Sequence, residues 1–198
     1  MAHRNPYGRV DPRTLAARAQ GYPARSIFKL EEIDQRVKLL KGGNRVLDLG
    51  AAPGSWSLYA AKKVGPNGRV VALDLKVINE AFPPWVTSQA DDIFKVAPAS
   101  LCPPGPYDVV MSDMAPSTSG SKVHDQTVSF DLFMRALEFA AEIGRPGSHF
   151  VAKLFMSNQF SEAKSAVQKL FSEATTIRPQ GTRKPSSEVF IVGFSKRV

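Results

Sequence analysis

Three carboxylates and two lysines hold most of the reactive chemistry in this sequence. Asp74 falls within the candidate strand Arg69 to Leu75, Asp91 follows the candidate strand Val86 to Ala90, and Asp113 ends the candidate strand Tyr107 to Asp113. In a parallel sheet the carboxyl ends of the strands share one edge, and open α/β sheets bind their ligands along that edge. An acid after the second strand is a common partner for a ribose diol. One such acid is an ordinary loop cap. Three on one edge favour a ligand that offers hydroxyls, amines and positive charge. The lysines are Lys153, inside the apolar run HFVAKLF, and Lys29, next to the helical stripe Leu30, Ile33, Val37 and Leu40. A lysine snorkelling past a core edge would show the same spacing as Lys29. An amine can abstract a proton only when uncharged, and a reference pKa of about 10.4 leaves far less than about one percent in that form at neutral pH. Burial and a second ammonium lower such a pKa, while carboxylates raise it. Lys153 meets the first condition, and Lys29 could supply the second.

The elements that must position these groups follow from hydrophobic periodicity. Seven strands are expected: Arg45 to Leu49, Arg69 to Leu75, Val86 to Ala90, Tyr107 to Asp113, His149 to Phe155, Thr175 to Pro179 and Glu188 to Phe194. Helices fall between them, after Gly54 to near Gly65, through Leu132 to Ala140 with stops at Gly144 and Pro146, and through Phe160 to Phe171. A further helix, RSIFKLEEIDQRVKLL, precedes the first strand. The prolines between Ile93 and Pro106 favour loop. This alternation is the signature of a doubly wound α/β fold. If the last strand runs antiparallel to its neighbours, Glu188 at its start lies on the same edge as Lys153 and Asp113.

The stretch RVLDLGAAPGSW joins a buried strand ending in Asp48 and Leu49 to a turn, Gly50, Ala51, Ala52, Pro53 and Gly54, and then to a helix. The glycine spacing does not fit the dinucleotide fingerprint, Pro53 lacks the N–H that a pyrophosphate would use, and no Gly-Lys-Ser/Thr follows for a nucleoside triphosphate. A ligand with an adenosine-like body and no phosphate remains. S-adenosylmethionine has those properties together with a positive sulfonium and an amino-acid tail.

DLGAAPGSWS, MSDMAPS, VAKLF and SSEVFIVG, in that order, resemble the FtsJ/RlmE family of RNA ribose 2'-O-methyltransferases. The similarity runs from about Arg25 to the C-terminus. It implies a Rossmann-like S-adenosylmethionine-dependent methyltransferase fold, with a seven-stranded, mostly parallel sheet, an antiparallel last strand and helices on both faces. It implies cofactor contacts from Gly54, Trp56, Asp74, Asp91 and Asp113, and a catalytic set of Lys29, Asp113, Lys153 and Glu188. In that set Lys153 is read as the general base, and the other three orient it and the 2'-hydroxyl. The implied substrate is a ribose, of a uridine, in the 23S rRNA of the large ribosomal subunit. Ser55 departs from the pattern, since many relatives have glycine there. Asp91 fits the pattern better than the adjacent Asp92.

Other chemistries are weaker. Amine acceptors usually accompany an Asn/Asp-Pro-Pro-aromatic loop, whereas Met114, Ala115 and Pro116 follow Asp113. Cys102 lies in a proline-rich loop away from the expected crevice and is read as a packing residue, not as a nucleophile for pyrimidine C5. His3, His124 and His149 are scattered and have no cysteine partners, so no metal site is expected. Two other readings stay open: the same reaction on tRNA or an mRNA cap, and a non-catalytic RNA-binding factor in ribosome assembly.

A chain of 198 residues suits one domain. It is divided here into a basic N-terminal segment, residues 1–24, and a methyltransferase domain, residues 25–198. The net charge of +8 is uneven. Arg4, Arg9, Arg13, Arg18, Arg25 and Lys29 cluster at one end, and Arg178, Arg183, Lys184, Lys196 and Arg197 lie near the other, so both ends could grip a phosphate backbone. Residues 1 to about 20 are expected to order only on RNA. The polar N-terminus, the lack of a long apolar run and the single cysteine point to a cytoplasmic protein without a membrane span. A monomer is expected.

Overall fold

The structure, a computed structural model, describes residues 11–101, 103, 105–117, 119–180 and 187–198. One seven-stranded sheet organises the chain. Its strands are β1 (Arg45–Leu49), β2 (Arg69–Asp74), β3 (Val86–Ala90), β4 (Tyr107–Ser112), β5 (Gly144–Phe155), β6 (Phe171–Ile177) and β7 (Glu188–Lys196), in the order β3-β2-β1-β4-β5-β7-β6. The first five are parallel, and β7 runs antiparallel to both β5 and β6. The helices are α1 (Pro12–Ala19), α2 (Ile27–Val37), α3 (Ser55–Val64), α4 (Lys122–Ile143) and α5 (Phe160–Leu170).

Strand periodicity sends alternate residues into two cores. Phe150, Ala152 and Leu154 of β5 pack with Phe133 and Phe139 of α4 and Val167 of α5. Val151 of β5 and Phe190 and Val192 of β7 pack with Leu30 and Ile33 of α2 and Ala60 of α3. The same alternation puts Lys153, Glu188 and Asp113 on the α2 side of the sheet. β5 pairs Lys153 with Phe190 and Phe155 with Glu188, so both groups stand at the carboxyl edge.

Several boundaries differ from the sequence reading. α2 stops at Val37, because Lys38 adopts a left-handed conformation (φ 53) and Asp34 Oδ1 accepts the Leu40 amide at 2.9 Å, which folds Leu39 and Leu40 inward. β6 begins at Phe171, four residues before the expected start. Phe171 packs against the bare face of Gly193, where a Cβ would come within 2.6 Å of its ring. The segment between Ile93 and Pro106 is loop apart from a short 3-10 turn at Pro98–Ser100.

The N-terminal segment contributes a helix of its own. α1 forms with Asp11 as its N-cap, accepting the Arg13 amide at 2.9 Å, and with Pro12 in its first turn. Ala17 is fully buried against the α2–α3 core, and Asp11 also pairs with Arg25. α1 thus begins within the span expected to order only on RNA. Arg4 and Arg9 lie outside the described residues, as do Cys102, Arg183 and Lys184.

Two members of the C-terminal basic patch are engaged by the protein itself. Lys196 Nζ donates to the carbonyls of Ala141 and of Gly144 (2.7 Å), and Arg197 donates to Gln168 (2.5 Å) and Lys169 (3.2 Å). Both cations thus satisfy carbonyls at helix C-termini, where the helix dipole favours positive charge. Burial lowers the pKa of Lys196. No helix among the described residues is long and apolar enough to cross a membrane.

Candidate active site

A cavity of about 370 Å³ opens at the carboxyl ends of β1, β2 and β4. Its wall includes Gly50 and Ala52 of the glycine turn, Asp74 and Leu75 after β2, Asp91 to Phe94 after β3, and Asp113 to Ala115 after β4. The three acids singled out from sequence therefore share one cavity. Asp74 braces the turn it faces, accepting the amides of Ala52 and Lys76 at 2.9 Å each. A carboxylate can accept about four hydrogen bonds, so both oxygens keep acceptor capacity for a ligand. Asp91 and Asp92 are distinguished by their surroundings. Asp92 accepts the Phe94 amide at 3.0 Å and pairs with Lys95 at 3.6 Å, while Asp91 accepts only the adjacent Asp92 amide at 2.7 Å within this loop. Leu73, Leu75, Ile93, Phe94, Met114 and Leu132 give the cavity apolar walls that the sequence reading did not identify.

Gly54 and Trp56 do not line this cavity. The Trp56 ring is buried against Phe190, and its Nε1 donates to the Ser26 carbonyl at 3.0 Å, so only the main chain of Trp56 could reach a ligand. The glycines answer first to the protein itself. A Cβ on Gly50 (φ +74) would collide with Met114, and one on Gly54 (φ +111) would sit 3.1 Å from the Phe82 ring. Both φ values lie where side chains are strained.

Asp48 is the buried acid that the sequence reading did not place in the site. It is 1 % exposed, on β1 between the strands that lead to Asp74 and Asp113. Its Oδ2 accepts the Ser57 hydroxyl at 2.6 Å, and its Oδ1 has no partner among the described residues. Burial pushes its pKa up to about 7; the Ser57 hydrogen bond opposes this, and the Asp113 and Asp74 charges add to it. The sequence signal was an acid inside an apolar strand, two residues before Gly50. An unpartnered buried carboxylate oxygen beside a cavity lined by four more acids, Asp74, Asp91, Asp92 and Asp113, suits a cationic ligand. The volume suits an adenosine-sized body. The donor and acceptor set thus fits S-adenosylmethionine.

Four charged side chains meet beside this cavity. Lys153, 6 % exposed, donates to the Asp113 carbonyl at 2.5 Å and to Asp113 Oδ1 at 2.9 Å. Lys29 reaches down from α2 to Glu188 Oε1 at 2.8 Å and to Asp113 Oδ1 at 3.8 Å. The contacts run from Glu188 through Lys29 and Asp113 to Lys153. Asp113 belongs to both the cavity wall and the charged cluster. Removing four charged groups from water costs several kcal/mol per ion before their attraction offsets it, and clusters of this kind are concentrated at functional sites. Among the described residues no group of His, Cys, Asp and Glu is arranged to hold a metal.

Comparison with known proteins points to one family. A model of the family described as FtsJ-like methyltransferase matches residues 22–196. A protein of Sorangium cellulosum named ribosomal RNA large subunit methyltransferase E is 54% identical over 98% of this chain and 92% of its own. A protein of the same name from Syntrophobacter fumaroxidans is 46% identical over 91% of this chain and 93% of its own. A crystal structure of a ribosomal RNA methyltransferase from Plasmodium falciparum superposes with a TM-score of 0.76 over 88% of this chain and 98% of that one, and at 22% identity it speaks to the fold.

Proposed function

The chain belongs to the FtsJ-like methyltransferase family, and from that premise we propose that it methylates a ribose 2'-hydroxyl, on a uridine, in the 23S rRNA of the large ribosomal subunit. S-adenosylmethionine is the proposed donor and supplies, when bound, a methyl group on a positively charged sulfur. Asp74, Asp91 and Asp113 would hold it through hydroxyl, amine and charge contacts, with Asp48 countering its positive charge and the main chain at Gly54 and Trp56 completing the site. The observation that carries the reading is the double membership of Asp113, whose carboxylate is at once cavity wall and acceptor for Lys153.

A ribose hydroxyl is a poor nucleophile, so its proton must leave as the new bond forms. Lys153 Nζ takes that proton. An uncharged amine has two N–H groups and one lone pair. The two hydrogen bonds that Lys153 makes to Asp113 use both N–H groups and leave the lone pair for the hydroxyl. The Lys29 ammonium lies 3.8 Å from the same Asp113 Oδ1 that accepts from Lys153, so the two amines share one carboxylate. Glu188 fixes Lys29 in turn. The alignment of hydroxyl and donor that such a displacement demands is the main service of a rigid sheet edge.

Residues 25–198 form the proposed methyltransferase domain, and residues 1–24 add basic charge for RNA. A ribosomal substrate implies action in the cytoplasm, and a monomer suffices because every group named lies in one chain. The test is incubation with labelled S-adenosylmethionine and, separately, large subunits, free rRNA and tRNA, followed by mapping of the methylated ribose. Label at a 2'-oxygen of large-subunit RNA is expected. Label on tRNA alone, or cofactor binding with no transfer to any RNA, would overturn the reading.

A further inference from the structure

The start of α2, which carries Lys29, has no side-chain cap of its own. Its N-cap residue Ser26 makes no such bond. The segment leading into α2 is instead held by the first turn of α3, immediately after the glycine turn. The Ser55 hydroxyl accepts the Ala24 amide at 2.8 Å and donates to the Ala24 carbonyl at 3.1 Å. Trp56 Nε1 donates to the Ser26 carbonyl at 3.0 Å, and the Lys29 amide donates to that same carbonyl at 3.0 Å. Ser55 and Trp56 are 1 % and 2 % exposed, so water does not compete for these bonds. The strap they hold, residues 22–26, also anchors α1 through the Arg25–Asp11 pair.

We propose that Ser55 is a positioning residue for methyl transfer: its hydroxyl fastens the start of α2 to the glycine-turn helix and so sets where the Lys29 ammonium meets Glu188 and Asp113. The proposal rests on the functional reading above for the role of Lys29. A residue without a hydroxyl at this position could not hold Ala24. The two bonds to Ala24 close a ring between segments that are 31 positions apart in the chain, so they constrain orientation as well as distance.

The test combines methyl-transfer kinetics with amide hydrogen exchange on the full chain carrying Ser55→Ala, with Ser55→Gly as a second variant. Exchange of the Ile27, Phe28 and Lys29 amides is expected to rise at least about tenfold, while the amides of Arg45–Leu49 keep their protection. The KM for S-adenosylmethionine is expected to stay within about twofold, and kcat on large-subunit RNA to fall at least about tenfold. In a Lys29→Ala background the same substitution is expected to cause no further loss of kcat, because both changes act through one group. Unchanged exchange at Ile27 to Lys29 overturns the proposal, and so does a kcat loss that multiplies with that of Lys29→Ala. A wild-type protein that methylates no RNA would sink the functional reading, while the exchange comparison would still decide whether the latch exists.

Discussion

Replacing Asp48 with asparagine should change how the stability of the ligand-free protein depends on pH. The buried carboxyl has its pKa raised from 3.8 to about 7, by burial first and then by Asp113 and Asp74, against the pull of Ser57. Between those values the folded chain keeps a proton that the unfolded chain has released. The raised pKa therefore makes stability fall as pH rises from about 4 to about 7, after which the full cost is present. At roughly 1.4 kcal/mol per tenfold change in proton affinity, the cost is about 1.5 kcal/mol at about pH 5 and about 4 kcal/mol at about pH 8. Asparagine does not titrate, so the stability difference between Asp48→Asn and wild type should shift in the variant's favour by about 3 kcal/mol across that interval. Its side-chain N–H₂ would stand where Oδ1 has no partner, at a pH-independent cost of about 1–3 kcal/mol. Urea denaturation of both proteins at several pH values measures the difference directly, with other titrating groups cancelling in the comparison. Near pH 8 the variant should be the more stable protein by about 1–3 kcal/mol, or very roughly 2–12 °C in Tm for a chain of this size. S-adenosylmethionine should show the converse, because a cation favours the ionised carboxyl: its affinity for wild type should strengthen as pH rises toward 7, and this trend should be lost in the variant. Parallel stability curves for the two proteins between about pH 5 and about pH 8 would refute the assignment of a raised pKa to Asp48.

Other consequences follow from individual side chains. Lys153→Ala should leave S-adenosylmethionine affinity within about threefold, by calorimetry, and reduce methyl transfer at least about 10²-fold, since general-base contributions are about 10²–10⁴; full turnover would remove Lys153 from the mechanism. Asp74→Ala should weaken cofactor binding about 10- to 100-fold through loss of charged hydrogen bonds worth about 1.5–3 kcal/mol, with a smaller effect on kcat. Lys196→Ala should lower stability by about 1 kcal/mol in denaturant titrations and leave RNA affinity and its salt dependence unchanged, because its ammonium is engaged by the carbonyls of Ala141 and Gly144. Deleting residues 1–20 should reduce the slope of log affinity for RNA against log salt by about 0.7 for each phosphate that the shortened chain no longer neutralises; an unchanged slope would remove that segment from RNA binding.

What the sequence determined by itself is periodic or local. Alternation along HFVAKLF and EVFIVGF separates the residues that face α4 and α5 from those that face α2, and the same count brings Lys153, Asp113 and Glu188 to one face at one edge. The acids at the ends of β2, β3 and β4 were legible because a parallel sheet aligns its carboxyl ends whatever the detailed packing. α1 was not read from the sequence, although Asp11 as N-cap and Pro12 in the first turn are ordinary start residues for a helix. The buried methyl of Ala17 and the Arg25 pair, which hold α1 in place, come from residues outside the helix or from its packing.

Only tertiary structure could decide the contacts between segments far apart in the chain. The pairing of Lys29 with Glu188 and of Lys153 with Asp113 depends on how α2 lies across β7 and β5, whereas the strand count alone set Glu188 opposite Lys153 and Asp113. Lys196 and Arg197 read as free surface charge until the ends of α4 and α5 were placed beside them. The packing of Phe82 against Gly54, and of Phe190 and the Ser26 carbonyl against Trp56, was likewise absent from the sequence reading. The physical reason is the same in each case: backbone periodicity fixes which way a residue points within its own element, whereas a partner from another element is fixed by packing, and packing is a property of the whole fold.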